Sequence, residues 1–234
     1  HAGDALERPH ELVVDAGLGQ DVHHQRIDAR LEQRAGGQLQ ASQDSPARLS
    51  ALLAQASAGF EPGTLAEGTV DAVLDFVYER YRNQLAASFD RSSIDAVLSL
   101  RPPLHQVAAR VRACEQFAAL PEAESLAAAN KRIVNILRKA EEGVGSEVDA
   151  SLFAEAAERD LHAALAAIAP VLRNDLDGGR YAEALSALAG LRAPVDRFFD
   201  DVMVNADDAR IRANRLALLA RVAAAMNAVA DISK

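Results

Sequence analysis

Residues 126–139 read Leu-Ala-Ala-Ala-Asn-Lys-Arg-Ile-Val-Asn-Ile-Leu-Arg-Lys. At roughly 100° per residue, a helix through this stretch puts Leu126, Ile133 and Leu137 on one side. Lys131, Arg132, Asn135, Arg138 and Lys139 fall on the opposite side. An apolar seam backed by a charged face is the pattern of a helix that packs against other helices. The flanking breaks agree. Leu120-Pro121 interrupts the chain upstream, and Glu122 and Glu124 then fall where a helix start favours acids. The helix is expected to run to about Glu142, with Gly143 and Gly145 ending it.

The same period continues outward in both directions. Upstream, Val70, Val73, Leu74, Val77, Tyr81 and Leu85 keep helical spacing. Ser92 or Ser93 is placed to cap a short helix with Ile94, Val97 and Leu98. Pro102 and Pro103 suit a first turn before the stripe Leu104, Val107, Val111, Cys114 and Phe117. Downstream, Ser151 to Arg173 is amphipathic, Asp177-Gly178-Gly179 is a turn signal, and Tyr181 to Leu191 is a short helix. Pro194 restarts the chain before Val195, Phe198, Phe199 and Val202. Asp207 and Asp208 suit a cap and first-turn acid for a last helix with Ile211, Leu218, Leu219, Val222, Met226 and Val229.

No strand or hairpin signal interrupts this, so the fold class is all-α, a helical bundle. Composition agrees: hydrophobic residues are 50% but aromatics only 4%, with no Trp. A core of Ala, Leu and Val favours helix over strand. Residues 1–45 read differently, with poor periodicity, four of the six histidines and a Gln-rich run, and are expected to be poorly ordered. Only Ala47 to Ala58 there looks like a short helix. The expected organisation is 1–62 irregular or aberrant, 63–100 connecting helices, and 101–234 one helical domain.

The 234-residue chain has 25 Lys+Arg against 34 Asp+Glu, a net charge of −9. That excludes a general polyanion binder, because nonspecific nucleic-acid affinity comes from cations. The charge is unevenly spread. Arg101, Arg110, Arg112, Lys131, Arg132, Arg138 and Lys139 are opposed between residues 101 and 139 only by Glu115, Glu122 and Glu124. The face on the 126–139 helix offers phosphate contacts from Lys and Arg and base-edge hydrogen bonds from Asn and Arg. Most charged helix faces are simply solvated, and no aromatic lies on this one. Tyr181, Phe198 or Phe199 could supply stacking from a neighbouring element, although such residues are more often core.

Other chemistry is thinly supported. His23, His24, Asp21 and Asp28 sketch a metal site without a scaffold, and adjacent carboxylates at Asp200-Asp201 and Asp207-Asp208 cannot share one ion on a helix. No metal site is therefore expected. Cys114 lies on an apolar stripe and reads as core; being the one cysteine, it excludes an internal disulfide. Gly143-x-Gly145 lacks the Lys and the preceding strand of a phosphate loop. No catalytic residue and no bound cofactor are expected. No stretch approaches a membrane span and no signal peptide opens the chain, so a soluble intracellular protein is expected. Opening on His1, the chain reads as a piece of something longer.

Several ordered strings carry a resemblance. Residues 128–137 (Ala-Ala-Asn-Lys-Arg-Ile-Val-Asn-Ile-Leu) and 191–204 (Leu-Arg-Ala-Pro-Val-Asp-Arg-Phe-Phe-Asp-Asp-Val-Met-Val) are similar to signatures of the bacterial glycyl-tRNA synthetase beta subunit. So are Asn-Ala-Asp-Asp at 205–208, Arg-Ala-Asn-Arg-Leu-Ala-Leu-Leu at 212–219 and Val-Ala-Asp-Ile-Ser at 229–233. Phe89-Asp90 and Ile94 to Leu98 fit the family's upstream helix, so the resemblance covers about 63–234. It implies a helical anticodon-binding domain of the arginyl-tRNA synthetase type. It also implies a cytoplasmic partner of a separate alpha subunit, which holds the catalytic core and uses ATP with Mg to attach glycine to tRNA-Gly. On that reading Lys131, Arg132, Asn135, Arg138 and Lys139 become tRNA-binding candidates at the anticodon stem, and Asn130 braces the packing. The alternative is a helical protein–protein interaction module with a solvated basic face.

The sequence departs from the family at three places. Asn205 stands where an apolar residue is usual, Ala223 to Asn227 replace a stretch with Arg and a bulky Phe, and Lys234 stands where leucines are usual. A looser last helix is the expectation. Residues 1–60 do not resemble the family's upstream region and suggest a stretch read in a shifted frame. Resequencing the coding DNA and recovering the same 60 residues would overturn that idea.

Overall fold

A computed structural model describes residues 49–140, 145 and 147–234. The expectations for residues 1–45, including the His23-His24 pair, lie outside the described residues. The elements are α1 Leu49–Ser57, α2 Thr69–Leu85, α3 Arg91–Leu98, α4 Leu104–Ala118 and α5 Ala123–Lys139. A 3₁₀ turn at Ala150–Leu152 follows, then α6 Ala156–Asp177, α7 Tyr181–Ala187, a second 3₁₀ turn at Leu188–Leu191, α8 Arg192–Asp201 and α9 Ala209–Met226. No strand occurs among the described residues, so the all-α expectation holds.

Several boundaries differ from the sequence reading, two of them for a local hydrogen-bonding reason. Asp90, not a serine, caps α3: its carboxylate accepts from the amides of Ser92 and Ser93 and from the Ser92 hydroxyl. These bonds hold the Asp90 carboxyl below the usual range. α5 ends at Lys139 rather than Glu142. The helix expected from Ser151 splits. Asp149 accepts from the Ser151 amide at 2.9 Å and winds the 3₁₀ turn, and α6 starts afresh at Ala156. The turn after α6 uses Gly179 at φ +69°, a backbone conformation that disfavours side chains.

The core is one cluster running through all the helices. α4 packs along α7, α7 against α6, α6 against α8, and α9 against both α5 and α6. Small alanines at these seams let helices approach closely. Fully buried Phe198, Leu126, Ile133, Leu161, Leu218 and Met226 fill the space between them. Cys114 is buried as expected, and burial pushes its thiol up despite the Ser93 hydroxyl.

Two polar links tie the C-terminal half together. Glu158 accepts from the amides of Ala154 and Glu155 at 2.9 and 2.8 Å and from Arg215 Nε and Nη2 at 3.0 and 3.2 Å. Arg215 Nη1 donates to the Met203 carbonyl at 2.7 Å. The second link is a reciprocal amide pair: Asn130 Nδ2 donates to Asn227 Oδ1 at 2.8 Å, and Asn227 Nδ2 to Asn130 Oδ1 at 3.2 Å. So Asn130 braces the packing, and its partner is one of the residues at which the sequence departs from the family. The last helix is not loosened by that departure. Met226, Val229, Ala230 and Ile232 are buried, the Asp231 amide donates to the Ala96 carbonyl at 2.9 Å, and Arg110 Nη1 holds the Ala228 and Val229 carbonyls at 2.9 Å each.

Glu158→Gln strips the charge from one half of a buried pair and should cost about 3–5 kcal/mol in urea unfolding. Burial pushes the Glu158 carboxyl up, but Arg215 and the two amides outweigh it and hold it below its ordinary value. Its stabilisation is therefore complete above the unfolded carboxyl value, about pH 4.3, and is lost as pH falls through the lower folded one. Glu158→Gln should flatten that part of the acid-unfolding curve. Asn227→Leu strands the Asn130 amide and should cost about 1–3 kcal/mol, whereas Asn130→Leu with Asn227→Leu should recover most of it in thermal melts.

Candidate nucleic-acid interface

α5 presents the five candidate residues together. Lys131, Arg132, Arg138 and Lys139 are exposed and Asn135 is half-buried, while Leu126, Asn130 and Ile133 face inward. On a straight helix the five span an arc of about 120°. Arg138 and Lys139 occupy the last turn, where cations also favour the helix dipole. Asn135 Oδ1 accepts from Arg138 Nη2 at 2.9 Å. Exposed Glu124 lies on the same arc, about 10 Å from Lys131 along the axis. The cationic face is thus the C-terminal half of α5.

The remaining cations of the 101–139 stretch do not join it. Arg101, at φ +46°, pairs with Asp75 and lies over the Tyr78 ring at 6.0 Å. Arg112 lies over Phe89 at 5.9 Å. Arg110 is half-buried, 4.7 Å over the Tyr181 ring, and also donates to Gln106 Oε1. Burial lowers the Arg110 value, which Tyr181 partly offsets. Arg110 is therefore a strut rather than a surface contact, a role its spacing did not reveal.

An aromatic does reach the face, from a neighbouring helix. The Arg132 guanidinium sits 3.9 Å from the Phe199 ring centroid. Phe198 and Tyr181 are core, as aromatics usually are, but Phe199 on α8 is only half-buried. The signal lay in the α8 register: Val195, Phe198 and Val202 make the inward stripe, which turns the next residue aside. The neighbouring Met203 is 75% exposed, an apolar side chain that sequence reading did not single out.

The 212–219 string turns out to be structural. Arg212 Nη1 donates to the Ala206 carbonyl at 2.7 Å, Asn214 brackets Asp149 through its amide and carbonyl at 2.8 and 3.0 Å, and Arg215 holds Glu158. Asp208 caps α9, accepting from the amides of Arg210 and Ile211 at 2.8 and 3.3 Å. Its carboxylate is thereby engaged. Among the described residues no three His, Cys, Asp or Glu side chains converge as metal ligands, and no helix is long and apolar enough to cross a membrane.

Residues 126–232, from the apolar seam of α5 through the docked tail, match the DALR anticodon binding domain family. The chain is 41% identical over 249 aligned residues to the glycine–tRNA ligase beta subunit of Delftia acidovorans, covering all of this chain and 35% of that protein. It is 45% identical to that of Leptothrix cholodnii, with the same 100% and 35% coverage. It is 48% identical over 191 residues to that of Thiobacillus denitrificans, covering 81% of this chain and 27% of that protein. The chain thus spans about a third of the length of these curated relatives. Signature strings, helical architecture and family match agree: residues 126–232 match the DALR anticodon binding domain family, and the chain along its whole length is similar to part of the glycine–tRNA ligase beta subunits.

Proposed function

We propose that this chain is the non-catalytic, tRNA-binding part of a glycine–tRNA ligase beta subunit, and that α5 supplies the contact through Lys131, Arg132, Asn135, Arg138 and Lys139. The observation that carries this is the four exposed cations on one half of α5, within the matched domain of a chain whose net charge is −9. A net charge of −9 disfavours phosphate over the body as a whole, which favours one docking orientation over nonspecific adhesion. The functional unit extends upstream to Arg101, because α4 packs on α7 and Arg110 holds the tail carbonyls.

The relatives' designation as beta subunits supports an alpha subunit as the partner. The whole cytoplasmic enzyme would join glycine to tRNA-Gly, with ATP and Mg used outside this chain.

The test is tRNA-Gly binding to the assembled ligase as a function of salt. Lys131→Ala with Arg138→Ala should weaken binding and lower the slope of log affinity against log salt by about two. If affinity and slope are unchanged, the α5 face is merely solvated and the protein-contact reading replaces this one.

A further inference from the structure

We propose that Met203 is a reversible peroxide-modification site: hydrogen peroxide oxidises its thioether to the sulfoxide, while the chain's other two sulfur atoms, in Cys114 and Met226, stay reduced. In that step one peroxide oxygen bonds to sulfur as the O–O bond breaks. Sulfur gives up two electrons, and the second oxygen leaves as water with both protons. The proposal does not depend on the RNA-binding reading above.

The first observation is how the fold sorts the sulfur atoms. The sequence holds one cysteine and two methionines, so three side chains account for all of them. Met203 is 75% exposed, the most exposed large apolar side chain among the described residues. Met226 is 0% exposed and Cys114 8%. A thiol normally outcompetes a thioether for peroxide, but it does so as the thiolate. Burial both shields the Cys114 sulfur and pushes its thiol up, so less thiolate forms. A thioether has no proton to lose, and its oxidation follows exposure alone. The fold thereby inverts the usual order and leaves Met203 as the open target.

The second observation is that the backbone around Met203 is held while its side chain stands in water. Val202 is buried and Val204 half-buried, so Met203 turns outward between two inward neighbours. The Val202 amide donates to the Phe198 carbonyl at 2.9 Å, and the Ala206 amide to the Val204 carbonyl at 3.0 Å. The Met203 carbonyl itself accepts from Arg215 Nη1 at 2.7 Å. Peroxide therefore reaches the sulfur without any opening of the fold, and the added oxygen meets solvent. A reductase can reach the sulfoxide in the same way, which makes the change reversible. Met226 is the opposite case. Its oxidation waits for the end of α9 to open, and a polar sulfoxide there would enter the core beside the Asn130–Asn227 pair.

The experiment treats the assembled ligase with dilute hydrogen peroxide and follows oxygen uptake by mass spectrometry of tryptic peptides. Cleavage at Arg197, Arg210 and Arg221 puts Met203 and Met226 in different peptides. Met203 should gain one oxygen about a hundredfold faster than Met226, which reacts only through local opening. Urea below the unfolding transition should speed Met226 and leave Met203 unchanged. Cys114 should still react with a thiol reagent once the oxidised protein is denatured. The Met203 sulfoxide should leave the melting temperature unchanged, and the two epimer-specific methionine sulfoxide reductases together should return the peptide to its original mass. Met203→Leu, a surface substitution, should fold normally and abolish the fast uptake in the peptide that carries it. The idea is overturned if Met203 oxidises no faster than Met226, whether through shielding in the assembled ligase or otherwise. It is equally overturned if Cys114 oxidises first, or if the reductases leave the oxygen in place.

Discussion

Glu158 and Arg215 make the contact on which the C-terminal half depends. Both side chains are removed from water, at 0% and 6% exposure, and either charge alone would be severely penalised there. The pair persists because the carboxylate is saturated with donors, two amides at the start of α6 and two nitrogens of Arg215. The guanidinium's remaining arm takes the Met203 carbonyl in the α8–α9 connection. One arginine thereby fixes where α6 begins, how α9 lies on it and where α8 ends. A buried ion pair of this kind adds little over well-packed hydrophobics, but it admits one geometry.

That geometry reaches the surface. With the end of α8 held through Met203, Phe198 enters the core and Phe199 meets Arg132 on α5. On the other side of α5, the Asn130–Asn227 pair fixes its rotation against the end of α9. The proposed RNA face is therefore held from behind by an amide pair and from the side by an aromatic ring. An alanine-rich bundle with so few aromatics gains orientation from such polar locks, because small apolar side chains pack with little directional preference.

Much of this was legible along the chain. The helical period placed α2, α4, α5 and α9 to within a few residues, and the arc of α5 cations followed from spacing alone. What failed was local. Asp90 competes with Ser92 and Ser93 for the cap and wins because its carboxylate can reach three donors at once. The Asp149 turn ends the irregular stretch before α6, although the apolar pattern runs straight through it. Counting charge by segment also overstated the basic patch, since Arg101, Arg110 and Arg112 spend their guanidinium groups on aromatic rings, a carboxylate and backbone carbonyls. Asn227 looked like a weakness in the last helix because its partner lies 97 residues away.

The sequence by itself determined the all-helical class, the apolar seams and the side of α5 on which the cations stand. These follow from the 3.6-residue period and from helix-forming alanine and leucine. Only the tertiary structure decided which cations remain free, which phenylalanine reaches the surface, and what Asn130, Glu158 and Arg215 are for. Each of these depends on a partner on another helix, and periodicity describes a helix one at a time.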